Sequence, residues 1–215
     1  MPAVRAVAFD FNGTLSDDEP LLCEIYRELF AEQGKPLAAQ TYYDVLAGNT
    51  EEAIIGGWLG VEGDRLAALV AERIDRYRRR TAGGATVDET VRAAVRYASR
   101  RVPVAVVSGA FRAEIEPVLE GAGLAGSFSM LVTADDVVRG KPDPECYQLL
   151  VRRLGDGIES SHVLVFEDTE AGVTAAADAG CCCVAVLGTM PAERLTRAEE
   201  CVEGIDVPLL ERLLA

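Results

Sequence analysis

The segment Val7-Ala8-Phe9-Asp10-Phe11-Asn12-Gly13-Thr14-Leu15 joins an apolar run to a carboxylate and then to a glycine turn. An apolar run of this kind, bounded by a turn residue, predicts a buried β-strand that ends at Asp10. In open parallel sheets, ligands bind outside the carboxyl ends of the strands. We therefore expect Asp10 to lie at a ligand site, where its carboxylate is a candidate nucleophile.

Four further apolar runs outward from this segment alternate with helical patterns. They are Val102 to Val107, Phe128 to Val132, Val163 to Phe166 and Cys183 to Leu187. Alternation of strands and helices predicts an α/β fold with a doubly wound parallel sheet. The polar residues Ser108 and Glu167-Asp168 follow two of these runs, so we expect them at the same sheet edge as Asp10.

The chain between the first two strands has a different pattern. Apolar residues recur at helical spacing from Leu21 to Phe30, and three more helical segments are expected. These lie at about Ala39 to Leu46, Thr50 to Leu59 and Asp64 to Arg80. The sequence thus predicts a discontinuous α/β core of residues 1–15 and 82–215, interrupted by an all-helical insertion of residues 16–81.

Composition restricts the possible partners. The chain has 215 residues, a formal net charge of −14 and 49% hydrophobic residues, which is enough to build a core. An acidic surface argues against nucleic acid and against anionic membranes as partners. No apolar run approaches the ~18 residues of a membrane span, and Met1-Pro2-Ala3-Val4 lacks a charged leader. We expect a cytoplasmic protein, either monomer or homodimer.

Four segments in the same order resemble the motifs of the haloacid dehalogenase superfamily of phosphohydrolases. The nucleophile segment resembles motif I, Asp-x-Asp-Gly-Thr, with Asn12 in place of the second Asp. The others are Val104-Ala105-Val106-Val107-Ser108-Gly109, Gly140-Lys141-Pro142-Asp143-Pro144, and Val163 to Thr169 with Gly172. The resemblance implies a helical cap between motifs I and II, and Mg²⁺-dependent hydrolysis of a small phosphorylated metabolite.

The resemblance also implies catalytic roles. Asp10 attacks phosphorus in line and forms an aspartyl-phosphate that water then cleaves. Ser108 and Gly109 hold phosphate oxygens, and Lys141 balances the charges of Asp10 and of the phosphate. Thr14 either forms a hydrogen bond within the nucleophile loop or satisfies backbone groups of the turn.

A Mg²⁺ site follows from the same resemblance. Asp10 and Asp168 are its direct ligands, Asn12 contributes its backbone carbonyl, and Glu167 assists. Hard oxygen donors of this kind suit Mg²⁺. Because the ligand from Asn12 is its backbone carbonyl, the replacement of Asp by Asn at this position does not remove it.

Two further regions have open interpretations. Gly48-Asn49-Thr50 resembles the cap loop that sets substrate specificity in phosphatases and mutases of this subgroup, but a helix N-cap at Asn49 or Thr50 is the alternative. Arg112, one helical turn after Ser108, either reaches the substrate or faces solvent.

Asn12 separates the functional hypotheses. In the family the second Asp protonates the leaving oxygen and then activates water, which a carboxamide cannot do. The leading hypothesis is a Mg²⁺-dependent phosphohydrolase with reduced or narrowed activity. It either favours substrates whose leaving group needs little protonation or relies on a replacement acid from Asp17, Asp18 or Glu19. The alternative is a binding or regulatory protein that holds a phosphorylated ligand without turnover.

Three other branches of the family rank lower. A sugar-phosphate mutase depends even more on an acid at position 12. A phosphonatase needs a cap lysine, and Lys35 lies well before the Gly48-Asn49-Thr50 loop. A dehalogenase works without metal, which the adjacent acids Glu167 and Asp168 argue against.

Overall fold

A six-stranded parallel sheet forms the centre of the molecule. The computed structural model describes residues 3–155 and 157–215. The strands are β1 (Ala6–Phe9), β2 (Val104–Val107), β3 (Met130–Val132), β4 (Val163–Glu167), β5 (Cys182–Val186) and β6 (Glu200–Val202). They lie in the order β3-β2-β1-β4-β5-β6, and every neighbouring pair is parallel. This order, with helices between the strands, confirms the doubly wound α/β fold.

Helices cover the sheet and form the insertion. They are α1 (Glu19–Glu32), α2 (Ala39–Thr41), α3 (Gly57–Leu59), α4 (Gly63–Thr81), α5 (Glu89–Ser99), α6 (Arg112–Gly121), α7 (Glu145–Leu154), α8 (Glu170–Asp178) and α9 (Val207–Leu213). Two π-helical turns, Tyr42–Leu46 and Glu52–Gly56, continue α2 and precede α3.

The segment between β1 and α5 confirms the predicted helical insertion. Its described residues form α1 to α4 and the two π-helical turns, without a strand. Its two connections to the core lie side by side, because Ser16 Oγ donates to Thr86 Oγ1 at 2.7 Å and Asp17 N donates to Thr86 O at 2.8 Å. The limits at residues 16 and 81 stay a prediction.

Strand β6 was missed by the sequence interpretation. Its residues are Glu200, Cys201 and Val202, which are half-buried or exposed at the edge of the sheet. The runs in β2, β4 and β5 form strands buried on both faces, as the central strands of a doubly wound sheet must be, whereas β3 lies at the other edge and is fully buried only at Val132. The three residues of β6 contain no apolar run, so their pattern gives no strand signal.

The topology brings two acidic strand ends together. The strand order reverses at β1, whose partner on one side is β2 and on the other is β4. Asp10 follows β1, Glu167 ends β4 and Asp168 comes next. Such a switch point leaves a crevice outside the carboxyl ends of the strands, where ligands bind in this fold class.

Candidate active site

The loop after β1 holds Asp10 at the sheet edge. The Asp10 backbone N donates to Phe166 O on β4 at 2.9 Å. The chain then folds back on itself, since both Leu15 N and Ser16 N donate to Phe11 O at 2.9 Å. Gly13, with φ at +71°, supplies a left-handed conformation that residues with a Cβ rarely adopt.

Three buried carboxylates converge at this edge. Asp10, Glu167 and Asp168 each offer one oxygen, and these oxygens all lie within 4.8 Å of one another. Burial raises the pKa of Asp10 well above its ordinary value; the charge of Lys141 opposes this, and the charges of Glu167 and Asp168 add to it. A cluster of like charges out of water requires a compensating cation.

One carboxylate oxygen of Asp168 has no partner within the cluster. Its Oδ1 accepts a hydrogen bond from Thr14 Oγ1 at 3.1 Å, whereas its Oδ2 is buried without a hydrogen-bond partner. A Cβ at Gly13 would lie 2.0 Å from that Oδ2. The orphaned oxygen, the hard donor set and the glycine beside it therefore fit Mg²⁺ bound by Asp10, Asp168 and Glu167.

Glu167 is fixed in place by its neighbours. Its Oε1 accepts from Tyr147 Oη at 2.6 Å and also from Lys141 Nζ. A Cβ at Gly172, in the first turn of α8, would lie 1.9 Å from Glu167 Oε2. Position 172 must therefore lack a side chain for Glu167 to reach the cluster.

Lys141 neutralises part of the acidic cluster. Its Nζ donates to Asp10 Oδ1 at 2.5 Å, to Val107 O at 2.9 Å and to Glu167. Burial by itself would lower the pKa of Lys141, but the charges of Asp10 and Glu167 outweigh it and raise that pKa above its ordinary value. Lys141 is thus a permanent cation against the candidate nucleophile.

A cavity of about 640 Å³ opens over Asp10 between the core and the insertion. Its volume is that of a small-molecule site. Ser108 and Gly109 line it together with Asp10 and Lys141. The Ser108 hydroxyl accepts from Ala110 N at 3.1 Å, which holds the Ser108 side chain at the start of the loop before α6.

The loop Gly48-Asn49-Thr50 also lines the cavity. The Asn49 amide donates to Val45 O at 2.9 Å and to Leu46 O at 3.1 Å, so that side chain secures the loop itself. The Thr50 methyl lies against the core loop, since a Cβ at Gly140 would lie 2.7 Å from it. The insertion is therefore closed on the core at this point.

Asn12 faces a buried acid. Its Nδ2 donates to Asp18 Oδ2 at 3.0 Å, and the Tyr77 hydroxyl donates to the same carboxylate oxygen. Burial raises the pKa of Asp18 to about 6, although the hydrogen bonds from Tyr77, Ser16 and Asn12 oppose the rise. Asn12 lines the cavity, and its amide is bound to Asp18 behind the lining.

The three candidate replacement acids have different surroundings. Asp17 is exposed, and neither Asp17 nor Asp18 lines the cavity with Asp10. Glu19 does line it, is 7% exposed, and accepts a hydrogen bond from Tyr42 Oη at 3.0 Å. Burial raises the pKa of Glu19 to about 8, and the charges of Asp18 and Asp10 contribute to the rise. Glu19 therefore carries a proton near neutral pH.

Four predicted site residues lie outside the cavity lining: Thr14, Arg112, and the two acids Glu167 and Asp168 of the carboxylate cluster described above. Thr14 donates a hydrogen bond to Asp168, as described above, and so helps to position the carboxylate cluster. Arg112 donates from Nη2 to Asp136 Oδ2 at 3.0 Å and to Leu131 O at 3.2 Å. These contacts direct the Arg112 guanidinium along the core surface.

A buried ion cluster in the cavity wall was missed by the sequence interpretation. Arg73 on α4 pairs with Glu51 in the insertion and with Glu114 on α6 in the core. Arg73 is 3% exposed and Glu114 is 1% exposed. Helical spacing in the sequence does indicate that Arg73 is buried, because it lies four residues after Leu69 and four before Tyr77, on the buried face of α4.

Comparison with known proteins identifies relatives over most of the chain. The family model described as haloacid dehalogenase-like hydrolase matches residues 4–180. The validoxylamine A 7'-phosphate phosphatase of Streptomyces hygroscopicus subsp. limoneus is 33% identical, over 91% of each chain. The phosphoglycolate phosphatase of Yersinia pseudotuberculosis is 31% identical, over 85% of this chain and 80% of the relative.

A solved structure shares the fold. The crystal structure of CbbY from Rhodobacter sphaeroides in complex with phosphate superposes with a TM-score of 0.82 at 22% identity, over 94% of each chain. Among the described residues, no helix has both the length and the apolar character that a membrane crossing requires.

Proposed function

The chain belongs to the haloacid dehalogenase-like hydrolases and is a phosphatase of that family, and we propose that it hydrolyses a small phosphorylated metabolite through an aspartyl-phosphate on Asp10. One observation carries the proposal. The Asp10 carboxylate lies at the floor of the cavity, with Lys141 Nζ 2.5 Å from one of its oxygens. The lysine fixes the carboxylate for in-line attack and offsets the charge of the incoming phosphate.

The donor set supports Mg²⁺ as the cofactor. Asp10, Asp168, Glu167 and the Asn12 backbone carbonyl are its proposed ligands, and the orphaned Asp168 Oδ2 is the observation in favour. When bound, Mg²⁺ supplies charge stabilisation to the transferring phosphoryl group. Ser108 and Gly109 then hold phosphate oxygens from the opposite side of Asp10, at the carboxyl end of β2.

Glu19 supplies the proton that Asn12 cannot. It lines the same cavity as Asp10, and its raised pKa of about 8 keeps it protonated at neutral pH. A protonated carboxyl donates to the leaving oxygen as the P–O bond breaks, and its ionised form then accepts a proton from the attacking water. Because this acid is Glu19 and not the residue at position 12, the enzyme accepts a narrower range of leaving groups.

One contact favours the alternative of a binding protein without turnover. The Asn12 amide is held by Asp18 and so is not free to act on a leaving group. If Glu19 does not transfer protons, the site keeps its phosphate-binding groups but loses the means to complete the reaction.

Phosphate release separates these possibilities. Wild type and Asp10→Asn are assayed with Mg²⁺ on a panel of phosphorylated metabolites and an activated aryl phosphate. We expect release by wild type and none by Asp10→Asn, which preserves shape but removes the nucleophile. Saturable ligand binding by wild type without release from any compound would contradict hydrolysis and support the binding alternative.

A further inference from the structure

We infer that the end of the cavity formed by Glu51 and Arg73 binds a neutral hydroxyl group of the substrate. This rests on the proposed function, and it makes the leaving group a polyol or sugar that carries no second anionic group.

Two atoms of this ion pair lack partners. Glu51 Oε1 accepts from Tyr26 Oη at 2.8 Å and from Arg73, but Glu51 Oε2 is buried without a hydrogen bond. Arg73 donates through its two terminal nitrogens to Glu51 and Glu114, but its Nε is likewise buried and unpaired. In the part of the chain that the structure describes, Asp168 Oδ2 is the one other buried side-chain atom without a partner.

Unpaired buried groups of this kind call for a ligand. A buried polar atom without a partner loses its hydration and gains nothing in return, so a folded protein satisfies nearly all such atoms. Asp168 Oδ2 is accounted for by the metal site. Glu51 and Arg73 both line the cavity and are 9% and 3% exposed, so a molecule in the cavity lies against these two side chains.

The two open atoms select the chemistry of that molecule. Glu51 Oε2 needs a donor and Arg73 Nε needs an acceptor. A hydroxyl group provides both. A carboxylate only accepts and leaves Glu51 unpaired, whereas an ammonium only donates and leaves Arg73 unpaired.

The charges around the cavity exclude an anion at this end. Arg73 already faces the carboxylates of Glu51 and Glu114. Glu52 adds a further carboxylate to the lining. The other cations that line it in the described residues are Lys141, which is bound to Asp10, and Arg139, which pairs with Asp143 at 2.7 Å. Neither Lys141, which is already paired, nor Arg139, whose side chain is 66% exposed, therefore offers a carboxylate on the leaving group a buried, unpaired cation.

Matched substrate pairs test this inference. Each pair differs only by a terminal CH₂OH in place of COO⁻: 2-hydroxyethyl phosphate against phosphoglycolate, glycerol 1-phosphate against 3-phosphoglycerate, and sorbitol 6-phosphate against 6-phosphogluconate. We expect kcat/KM to be at least about 10-fold higher for the hydroxyl member of every pair that is hydrolysed. Equal or higher kcat/KM for the carboxylate members would overturn the inference.

The Glu51→Gln variant tests whether this residue sets the preference. Loss of the Glu51 charge and replacement of one of its two acceptor oxygens by an NH₂ donor should lower kcat/KM for the hydroxyl member and raise it for the carboxylate member, so that their ratio falls at least about fivefold. Glu62→Gln is the matched control, because Glu62 is exposed and lies in the same insertion away from the cavity lining. An unchanged ratio in folded Glu51→Gln would contradict the assignment, and the wild-type pairs decide the matter if that variant does not fold.

Failure of the inference is distinct from failure of the proposed function. If the activated aryl phosphate is hydrolysed but the hydroxyl members are not preferred, the protein is a phosphohydrolase without the proposed hydroxyl subsite. If neither the aryl phosphate nor any member of a pair is hydrolysed, both the proposed function and the hydroxyl subsite are contradicted.

Discussion

The Asn12 amide donates a hydrogen bond to the buried carboxylate of Asp18 at 3.0 Å. This contact accounts for an amide at a position where the resemblance leads one to expect an acid. Asp18 is fully buried and also receives the Tyr77 hydroxyl. An ionised carboxylate at position 12 would face it as a like charge, so the pair would retain a proton.

Asn12→Asp should therefore increase turnover. The carboxyl group introduced at position 12 would share a proton with Asp18 at neutral pH and so restore an acid in the nucleophile loop, an effect worth typically about 10²–10⁴-fold in rate. We expect kcat on an alkyl phosphate to rise at least about 10-fold. Asn12→Ser, which also removes the amide but adds no acid, is the control. A rise of the same size in Asn12→Ser would show that relief of the Asp18 contact, and not proton transfer, limits wild type.

The role of Glu19 predicts a specific pH dependence. Its protonated form is the active one and its pKa is about 8, so kcat/KM should fall as the pH rises above 8. Glu19→Gln should lack this limb and lose about 10²-fold or more on alkyl phosphates, with a smaller loss on an activated aryl phosphate. Asp17→Asn, an exposed neighbour, should behave as wild type. A Glu19→Gln enzyme that keeps the alkaline limb would exclude Glu19 as the acid.

Gly172 should control metal binding through Glu167. A methyl group at this position would lie 1.9 Å from Glu167 Oε2 and displace the carboxylate. We expect Gly172→Ala to weaken Mg²⁺ affinity by about 10–100-fold, measured by calorimetry on the folded protein. Gly126→Ala, where the added methyl meets nothing within 4 Å, is the control. Equal Mg²⁺ affinity in Gly172→Ala and Gly126→Ala would contradict a metal site that includes Glu167.

Arg73 should contribute strongly to stability. Arg73→Met leaves the buried carboxylates of Glu51 and Glu114 without their partner, which costs about 3–5 kcal/mol in the free energy of unfolding. Denaturant unfolding at neutral pH measures it, with Arg79→Met as the exposed-pair control at about 0.5 kcal/mol or less. The loss should shrink at lower pH, because burial raises the pKa of Glu114 and protonation of this group removes its unpaired charge. A loss no larger than that of Arg79→Met would contradict a structural role for the cluster.

Much of the fold could be predicted from the sequence because the central strands are buried on both faces. Runs such as 104–107 and 163–166 are continuous and apolar for that reason, and the polar residues Ser108 and Glu167 that follow them mark the sheet edge. Strand β6 lies at the edge and lacks such a run. The π-helical turns at 42–46 and 52–56 also leave no mark, because their residues have ordinary helical spacing.

The site could be predicted only in part, for a similar reason. Asp10, Lys141, Glu167 and Asp168 are placed by strand ends and loops of the core, which the topology brings together. Glu51 and Arg73 meet through the packing of the insertion against itself and against α6, and no short segment records that long-range contact. The substrate-selecting end of the cavity is therefore the part that required the structure.

Detection of a phosphoryl group on Asp10 during turnover tests the central claim most directly. Acid-quenched wild-type enzyme with Mg²⁺ and substrate is digested, and the peptide of residues 6–27 is analysed by mass spectrometry. We expect that peptide to carry one phosphoryl group at Asp10, to a greater extent in wild type than in Asn12→Asp, because slow water attack lets the intermediate accumulate. Phosphate release without any phosphoryl group on this peptide, or a phosphoryl group that persists in Asp10→Asn, would contradict nucleophilic catalysis by Asp10.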